Sequence, residues 1–323
     1  MTRRLVERFQ TWAVAALLAP VLALGFGLGP AVAAAPCPPP PAAPTAAQWQ
    51  AAQREARDVG MLWRLSKDGR DSWLFGTIHV GTLAWSAPGP ALRQALARSD
   101  VLALEIDPLD PQLATQLQQA MREAPPADAA LRQRLLAQTL AACVPPEALQ
   151  GLHPMLQLVT LTLLQAGRDG LDPAFAQEPM LATAARAAGL RIVALESVTQ
   201  QIGALLPQDP VQMQRLLEQS LEQLERGRAG DMLRRLAEAW AAGDLQTLES
   251  YAQWCECADT PEQRTWLRRL NDERNDHLAA GIDALHGRGQ KVFAAVGALH
   301  MTGAQALPRL LQQRGYTVQR VAW

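Results

Sequence analysis

The sequence predicts an α/β fold: a mostly parallel or mixed sheet covered by helices, with large helical insertions forming a cap. Three observations carry this reading. Short apolar-rich runs recur at 101–104, 190–195 and 291–296, interrupted only by Arg191 and opened by Lys291, and runs of that length read as buried strands. Helical stretches separate them, which is the crossover pattern of parallel strands. Hydrophobic residues make up 49% of the 323 and charged residues 19%, enough to fill a large core and to exclude a disordered chain.

Ahead of that fold lies an export segment. Arg3, Arg4 and Arg8 precede an uncharged apolar run over 12–29, and Pro30-Ala31-Val32-Ala33 follows. A positive flank, an apolar run and an Ala-x-Ala site are the three parts of a secretory signal. Residues 1–33 therefore read as a signal peptide cleaved after Ala33. Cleavage leaves no stable membrane span and places the protein in the periplasm or outside the cell. The run is about 18 residues long, so an uncleaved membrane anchor is the competing reading. Residues 34–59 read as a Pro/Ala-rich tether and a short helix, and 60–323 as one α/β domain.

Within that domain, apolar runs at 61–65 and 72–75 flank Lys67-Asp68-Gly69-Arg70. Asp-Gly between two such runs signals a hairpin. A short helix at 91–98 leads to the strand 101–104. Residues 110–168 are helical, with breaks at Pro125-Pro126 and Pro145-Pro146. A helix over 179–188 ends at Gly189, a C-terminal cap residue, and the strand 190–195 follows. Residues 208–242 form an amphipathic stretch broken by Gly227 and Gly230. Residues 261–285 are helical behind Thr260 as N-cap. The strand 291–296, a helix over 304–314 and a strand over 316–321 close the chain.

Composition narrows the function. With 30 basic and 31 acidic residues the formal charge is −1, without the basic excess of a nucleic-acid binder. No Gly-x-Ser-x-Gly, P-loop or dinucleotide fingerprint appears, which argues against serine-hydrolase, NTPase and Rossmann-cofactor chemistry. Cys37, Cys143, Cys255 and Cys257 favour disulfides in an exported protein. Cys255 and Cys257 are spaced too tightly for an easy mutual bridge. The expectation is one of that pair joined to Cys143, with the other reaching Cys37 or staying free.

Four polar residues share one local context. His79, Glu105, Glu196 and His300 each fall at or just beyond the carboxyl end of a strand, where ligands bind in α/β sheets. Two imidazoles and two carboxylates form the ligand set of a divalent Mn, Co or Zn site, which activates water and polarises a carbonyl. Both histidines lie in matching Gly-x-x-His frames, Gly76-Thr77-Ile78-His79 and Gly297-Ala298-Leu299-His300. Taken singly, such a histidine is more often a hydrogen-bonded structural residue, and either glutamate can merely cap the next element. Asp107 reads as the cap of the Pro108 turn and Asp172 as the start of the next helix. His153, His277 and His286 take structural or solvated roles.

These motifs resemble the TraB/GumN family, in a superfamily that includes the Tiki metalloproteases. The likeness rests on Leu74-Phe75-Gly76-Thr77-Ile78-His79-Val80-Gly81, Leu104-Glu105-Ile106-Asp107, Gly170-Leu171-Asp172, Ala194-Leu195-Glu196-Ser197 with Gln201, Glu273-Arg274-Asn275, and Val296-Gly297-Ala298-Leu299-His300 through Gly303. It implies an α/β sheet with both histidines facing one cleft, and it adds Arg274 as a participant. Tiki relatives are described as Mn- or Co-dependent peptidases. The resemblance thus implies an exported metal-dependent hydrolase acting on a peptide or protein. His79, Glu105 and His300 would hold a divalent metal, Mn or Co ahead of Zn. Either glutamate could be the ligand and the other the general base; Asp107 two residues from Glu105 favours Glu105 as ligand and Glu196 as base, with Arg274 as oxyanion donor. The alternative is a non-catalytic envelope protein that binds haem, a peptide or a glycan precursor in the same cleft.

Overall fold

The computed structural model of the chain describes residues 43–122, 125–167 and 170–323. The signal peptide expected over 1–33, the beginning of the tether and Cys37 lie outside the described residues. The helix expected in the tether spans Ala46–Arg54 and starts in a capping box. Gln48 N–H donates to the Thr45 hydroxyl, and Thr45 N–H to the Gln48 side chain. Two donors that a helix start leaves open are thereby satisfied.

All six expected strands form: β1 (Met61–Lys67), β2 (Arg70–Thr77), β3 (Val101–Leu104), β4 (Arg191–Ala194), β5 (Val292–Gly297) and β6 (Thr317–Arg320). They make one sheet in the order β4-β3-β5-β2-β1-β6. Strands β4, β3, β5 and β2 are parallel neighbours, while β1 is antiparallel to both β2 and β6. The sheet is mixed: a two-residue turn makes β1 and β2 antiparallel, and helical connections join all the later strands. Asp68-Gly69 turns the first hairpin with both φ values positive, at 52° and 70°, the backbone a tight hairpin needs. Strand β3 is buried at every position and β5 from Val292 to Val296, which is why both read as unbroken apolar runs.

The helical insertions have a core of their own. Residues 110–168 hold helices Leu113–Arg122, Ala129–Ala141, Pro146–Leu149 and Pro154–Gly167. Leu135, Met155 and Leu161 from this region pack with Met213, Leu217 and Leu221 of Pro210–Glu225. The larger core covers the sheet, where Trp240 lies edge-on to Phe75 and donates its indole N–H to the Gly76 carbonyl at 2.7 Å.

Two breaks fall elsewhere than the sequence suggests. Gly230 sits inside the helix Arg228–Ala241. Its bare Cα serves close packing, since a Cβ there would lie 3.0 Å from Gln165 Cγ, and its N–H donates to Gln165 Oε1. The stretch 261–285 is two helices, Pro261–Leu270 and Asp272–Gly287. Asn271 leaves helical geometry between them, and its side chain donates to the Leu267 carbonyl, a local bond that competes with helix continuation.

The disulfide expectation is corrected. Cys255 and Cys257 are bonded to each other, with Cα atoms 5.0 Å apart. Glu256 between them takes φ of 52°, and that left-handed residue folds the chain back far enough to bring the two sulfurs together. Cys143 is disulfide-bonded as well, so it is not the partner of either. A loop this short removes little chain entropy. Replacing Cys255 and Cys257 by serine is expected to cost about 1–2 kcal/mol, read from urea unfolding. A loss of about 4–5 kcal/mol, the scale of a loop of about 100 residues, would contradict this pairing.

Among the described residues no helix is long and apolar enough to cross a membrane.

Candidate functional site

The parallel strands β2, β5, β3 and β4 present their carboxyl ends along one edge. His79 lies two residues past β2, Glu105 one past β3, Glu196 two past β4 and His300 three past β5. Thr77 pairs with Gly297, and Leu104 with both Ala295 and Ala194, so the strand ends are level. The two Gly-x-x-His frames touch: a Cβ on Gly76 would come 3.2 Å from Ala298 Cα. In the second frame Gly297 N–H donates to Glu105 Oε1 at 2.7 Å.

Glu105, Glu196 and Arg274 form a buried ion-pair cluster. Arg274, in the first turn of Asp272–Gly287, directs Nε to Glu196 Oε1 at 2.9 Å and Nη2 to both Glu196 Oε2 and Glu105 Oε2. Its Nη1 donates to the Leu270 carbonyl at 2.9 Å. Side-chain exposures are 13% for Arg274, 11% for Glu105 and 3% for Glu196. Gln201 donates to Glu105 Oε2 at 2.8 Å. Every oxygen of both glutamates therefore has a donor. Burial pushes the Glu105 carboxyl up, but His300, Arg274, the Gly297 amide and His79 together outweigh it and hold the group at about 2. Burial pulls the Arg274 guanidinium down, and its bonds and charge pairing with Glu196 and Glu105 raise it above its ordinary value.

His300 sits buried in the turn Ala298–Met301. Its Nδ1 lies 2.6 Å from Asn275 Oδ1. The Asn275 amide nitrogen donates to the carbonyls of His300 and Gln305, at 3.3 and 2.8 Å. Those two bonds fix which way the amide faces, so His300 Nδ1 carries the proton and Nε2 keeps its lone pair. Nε2 is 3.8 Å from Glu105 Oε1. Burial lowers the His300 pKa, Glu105 opposes it, and Arg274 and His79 lower it further, to about 4. The ring is neutral near pH 7.

His79 stands apart from this cluster. Its side chain is 68% exposed. Its Nδ1 is 3.2 Å from Glu178 Oε1, in the first turn of Gln177–Ala187. Both Glu178 oxygens are buried without an aligned hydrogen-bond partner. The stretch 172–177 delivers Glu178 by lying along 78–81: Gly81 and Asp172 exchange two backbone bonds, and Gln177 N–H donates to the Ile78 carbonyl. Gly81 permits this, because a Cβ there would come 2.5 Å from the Phe175 carbonyl oxygen. The Glu178 charge raises the His79 pKa to about 9 against the opposing effect of burial.

Two partners escaped the sequence reading. Glu178 looks like an ordinary acidic first-turn residue, and only the pairing of Gly81 with Asp172 aims it at His79. Asn275 belongs to the Glu273-Arg274-Asn275 motif, but its hold on His300 depends on packing. The remaining candidates are structural. Asp107 accepts from Leu109 N–H and pairs with Arg186, and Asp172 caps the turn Pro173–Phe175. His153, His277 and His286 bond the carbonyls of Pro125, Leu195 and Lys67. His286, expected on a surface helix, is wholly buried against Ser72.

The donor chemistry suits a divalent cation. His300 is neutral with a free Nε2 and an oriented Nδ1–H, the way metal-binding imidazoles are held, and His79 offers an accessible ring that must first release the proton it shares with Glu178. Among the described residues, no three such donors already converge on one point.

The TraB/PrgY/gumN family matches residues 61–320. The protein belongs to this family. The match spans both Gly-x-x-His frames of this TraB/PrgY/gumN member and every residue of the ion-pair cluster. No curated protein and no solved structure matches the chain.

The shifted groups dictate how stability of this TraB/PrgY/gumN protein depends on pH. Glu105, held at about 2 against an ordinary 4.5, stabilises the fold above pH 4.5, and this is lost as pH falls through 2. His300, held at about 4 against 6.5, favours the fold above pH 6.5, and this is lost as pH falls through 4. His79, raised to about 9, contributes below pH 6.5, and its contribution disappears as pH rises through 9. That contribution is small because water screens the ring. Urea midpoints are expected to be highest near pH 6.5 and to fall in acid, each buried group contributing on the order of 3 kcal/mol. A flat profile between pH 6.5 and 4 would contradict the His300 assignment.

Proposed function

We propose that this TraB/PrgY/gumN member is a hydrolase that uses a divalent metal ion, Mn or Co ahead of Zn, with a peptide or protein as substrate. His300 carries the reading: a buried neutral imidazole whose Nδ1 is oriented by Asn275 and whose Nε2 is left free beside Glu105. His79 supplies the second imidazole from the facing frame, and Glu105 the carboxylate. The ion would activate water and polarise the scissile carbonyl.

The chain's own residues set the surroundings. Arg274 helps hold the Glu105 carboxyl below its ordinary range and forks onto Glu196. Four of its five N–H donors are engaged, leaving one for a developing oxyanion. Glu196 is the proposed proton acceptor. Arg274 holds both of its oxygens, and that grip gives it a positioning role at rest. Export through the 1–33 signal to the periplasm or cell exterior belongs to the same proposal.

The test is reconstitution. Protein stripped with chelator and given Mn or Co is expected to recover cleavage of a peptide library. A Soret band on adding haem, with no cleavage under Mn, Co or Zn, would favour the binding-protein reading instead.

A further inference from the structure

We infer that Glu178 is a ligand of the divalent cation proposed above, chelating it jointly with His79; this inference rests on that reading. The first observation is a buried carboxylate whose one close charged neighbour is His79. Both Glu178 oxygens are buried and neither has an aligned hydrogen bond, while each oxygen of Glu105 and Glu196 has at least one donor. A buried polar group left unpaired costs about 1–3 kcal/mol, and such a group in a native fold calls for a specific explanation. An acid that faces an exposed imidazole through one oxygen and leaves the other without a hydrogen bond has lone pairs to offer a cation.

The second observation is spacing. His79 Nδ1 and Glu178 Oε1 are 3.2 Å apart, an ion pair while His79 is protonated and a pair of adjacent donors once a cation displaces that proton. Two donors bound to one cation at about 2.1 Å and about 100° apart are separated by about 3.2 Å. The His300–Glu105 separation of 3.8 Å would need an angle of about 130° on the same bond lengths. The 79–178 pair is thus already spaced as a chelate.

The third observation is how firmly the pair is mounted. His79 and Glu178 come from segments tied by three backbone hydrogen bonds, Gly81–Asp172 in both directions and Gln177 to Ile78. The close approach at Gly81 admits no side chain. Donors fixed before the ligand arrives lose little entropy on binding. One imidazole with one carboxylate suits Mn, Co or Zn rather than a soft ion such as Cu(I).

The experiment is calorimetric titration of the stripped full-length protein with Co²⁺ and Mn²⁺, with the Co²⁺ absorption spectrum recorded alongside. The proteins compared are the native chain, Glu178→Gln, Glu178→Asp, His79→Ala and His300→Ala, each checked by circular dichroism. Glu178→Gln keeps the shape but weakens the oxygen donor, so affinity is expected to fall by about 10²-fold or more, with a changed Co²⁺ spectrum. Glu178→Asp keeps the carboxylate and is expected to retain part of the affinity. If Glu178→Gln binds Co²⁺ like the native chain while His300→Ala loses it, the inference is overturned and the metal centre stands. If the native chain binds neither ion, the metal centre itself fails, and Glu178 with it.

Discussion

Replacing Arg274 with methionine is expected to destabilise the fold by about 3–5 kcal/mol, because it strands two carboxylates in a place built for a cation. Glu196 is 3% and Glu105 11% exposed at the side chain. The guanidinium reaches both, with two parallel bonds to Glu196 and one to Glu105. Methionine fills the volume and removes the charge, so the cost measures the unpaired carboxylates rather than a cavity. Adding Glu105→Gln and Glu196→Gln to Arg274→Met should recover much of the loss, since the site then holds no unpaired charge. The deficit of the single variant should also narrow as pH falls toward 2 and the Glu105 carboxyl becomes neutral. Urea unfolding of the three proteins reads this directly. A single variant within about 1 kcal/mol of the native chain, the scale of an exposed pair, would mean that the pair is not buried as described.

His300→Ala is expected to have the larger effect on function. It removes the one imidazole that is buried, neutral and oriented, and Asn275 then loses the ring its Oδ1 accepts from. Asn275→Ala offers a graded comparison: it keeps the imidazole but frees its tautomer and angle. Loss of an orienting partner typically lowers metal affinity or activity about 10–100-fold, and His300→Ala should exceed that. Cleavage assayed across a Mn or Co titration separates the two. Asn275→Ala should regain activity at high metal concentration and His300→Ala should not. Equal activity for His300→Ala and the native chain would remove His300 from the site.

Much of this was legible in the sequence, and for physical reasons. Strands β3 and β5 are buried on both faces, so their apolar runs are unbroken and cannot be mistaken for amphipathic surface helices. The Asp68-Gly69 turn announces the hairpin because few residues accept its positive φ. His79, Glu105, Glu196 and His300 stood out because each interrupts apolar sequence where a strand ends. What stayed hidden depends on long-range packing. Gly230 reads as a helix breaker, and only Gln165 explains why it lies inside a helix. The Cys255–Cys257 bond looked too tight because the left-handed backbone of Glu256 cannot be read from a glutamate. Glu178 is separated from His79 by about a hundred residues, and nothing near it in sequence marks it as more than a first-turn acid. Arg274 drew attention through its motif, yet its fork onto both glutamates follows from the helix break at Asn271.

The most direct test of a metal centre built on the two histidines is elemental analysis of the purified full-length protein beside a His79→Ala, His300→Ala double variant. The native chain is expected to hold about one equivalent of Mn, Co or Zn, and the folded double variant essentially none. Equal metal content in the two proteins would contradict the centre.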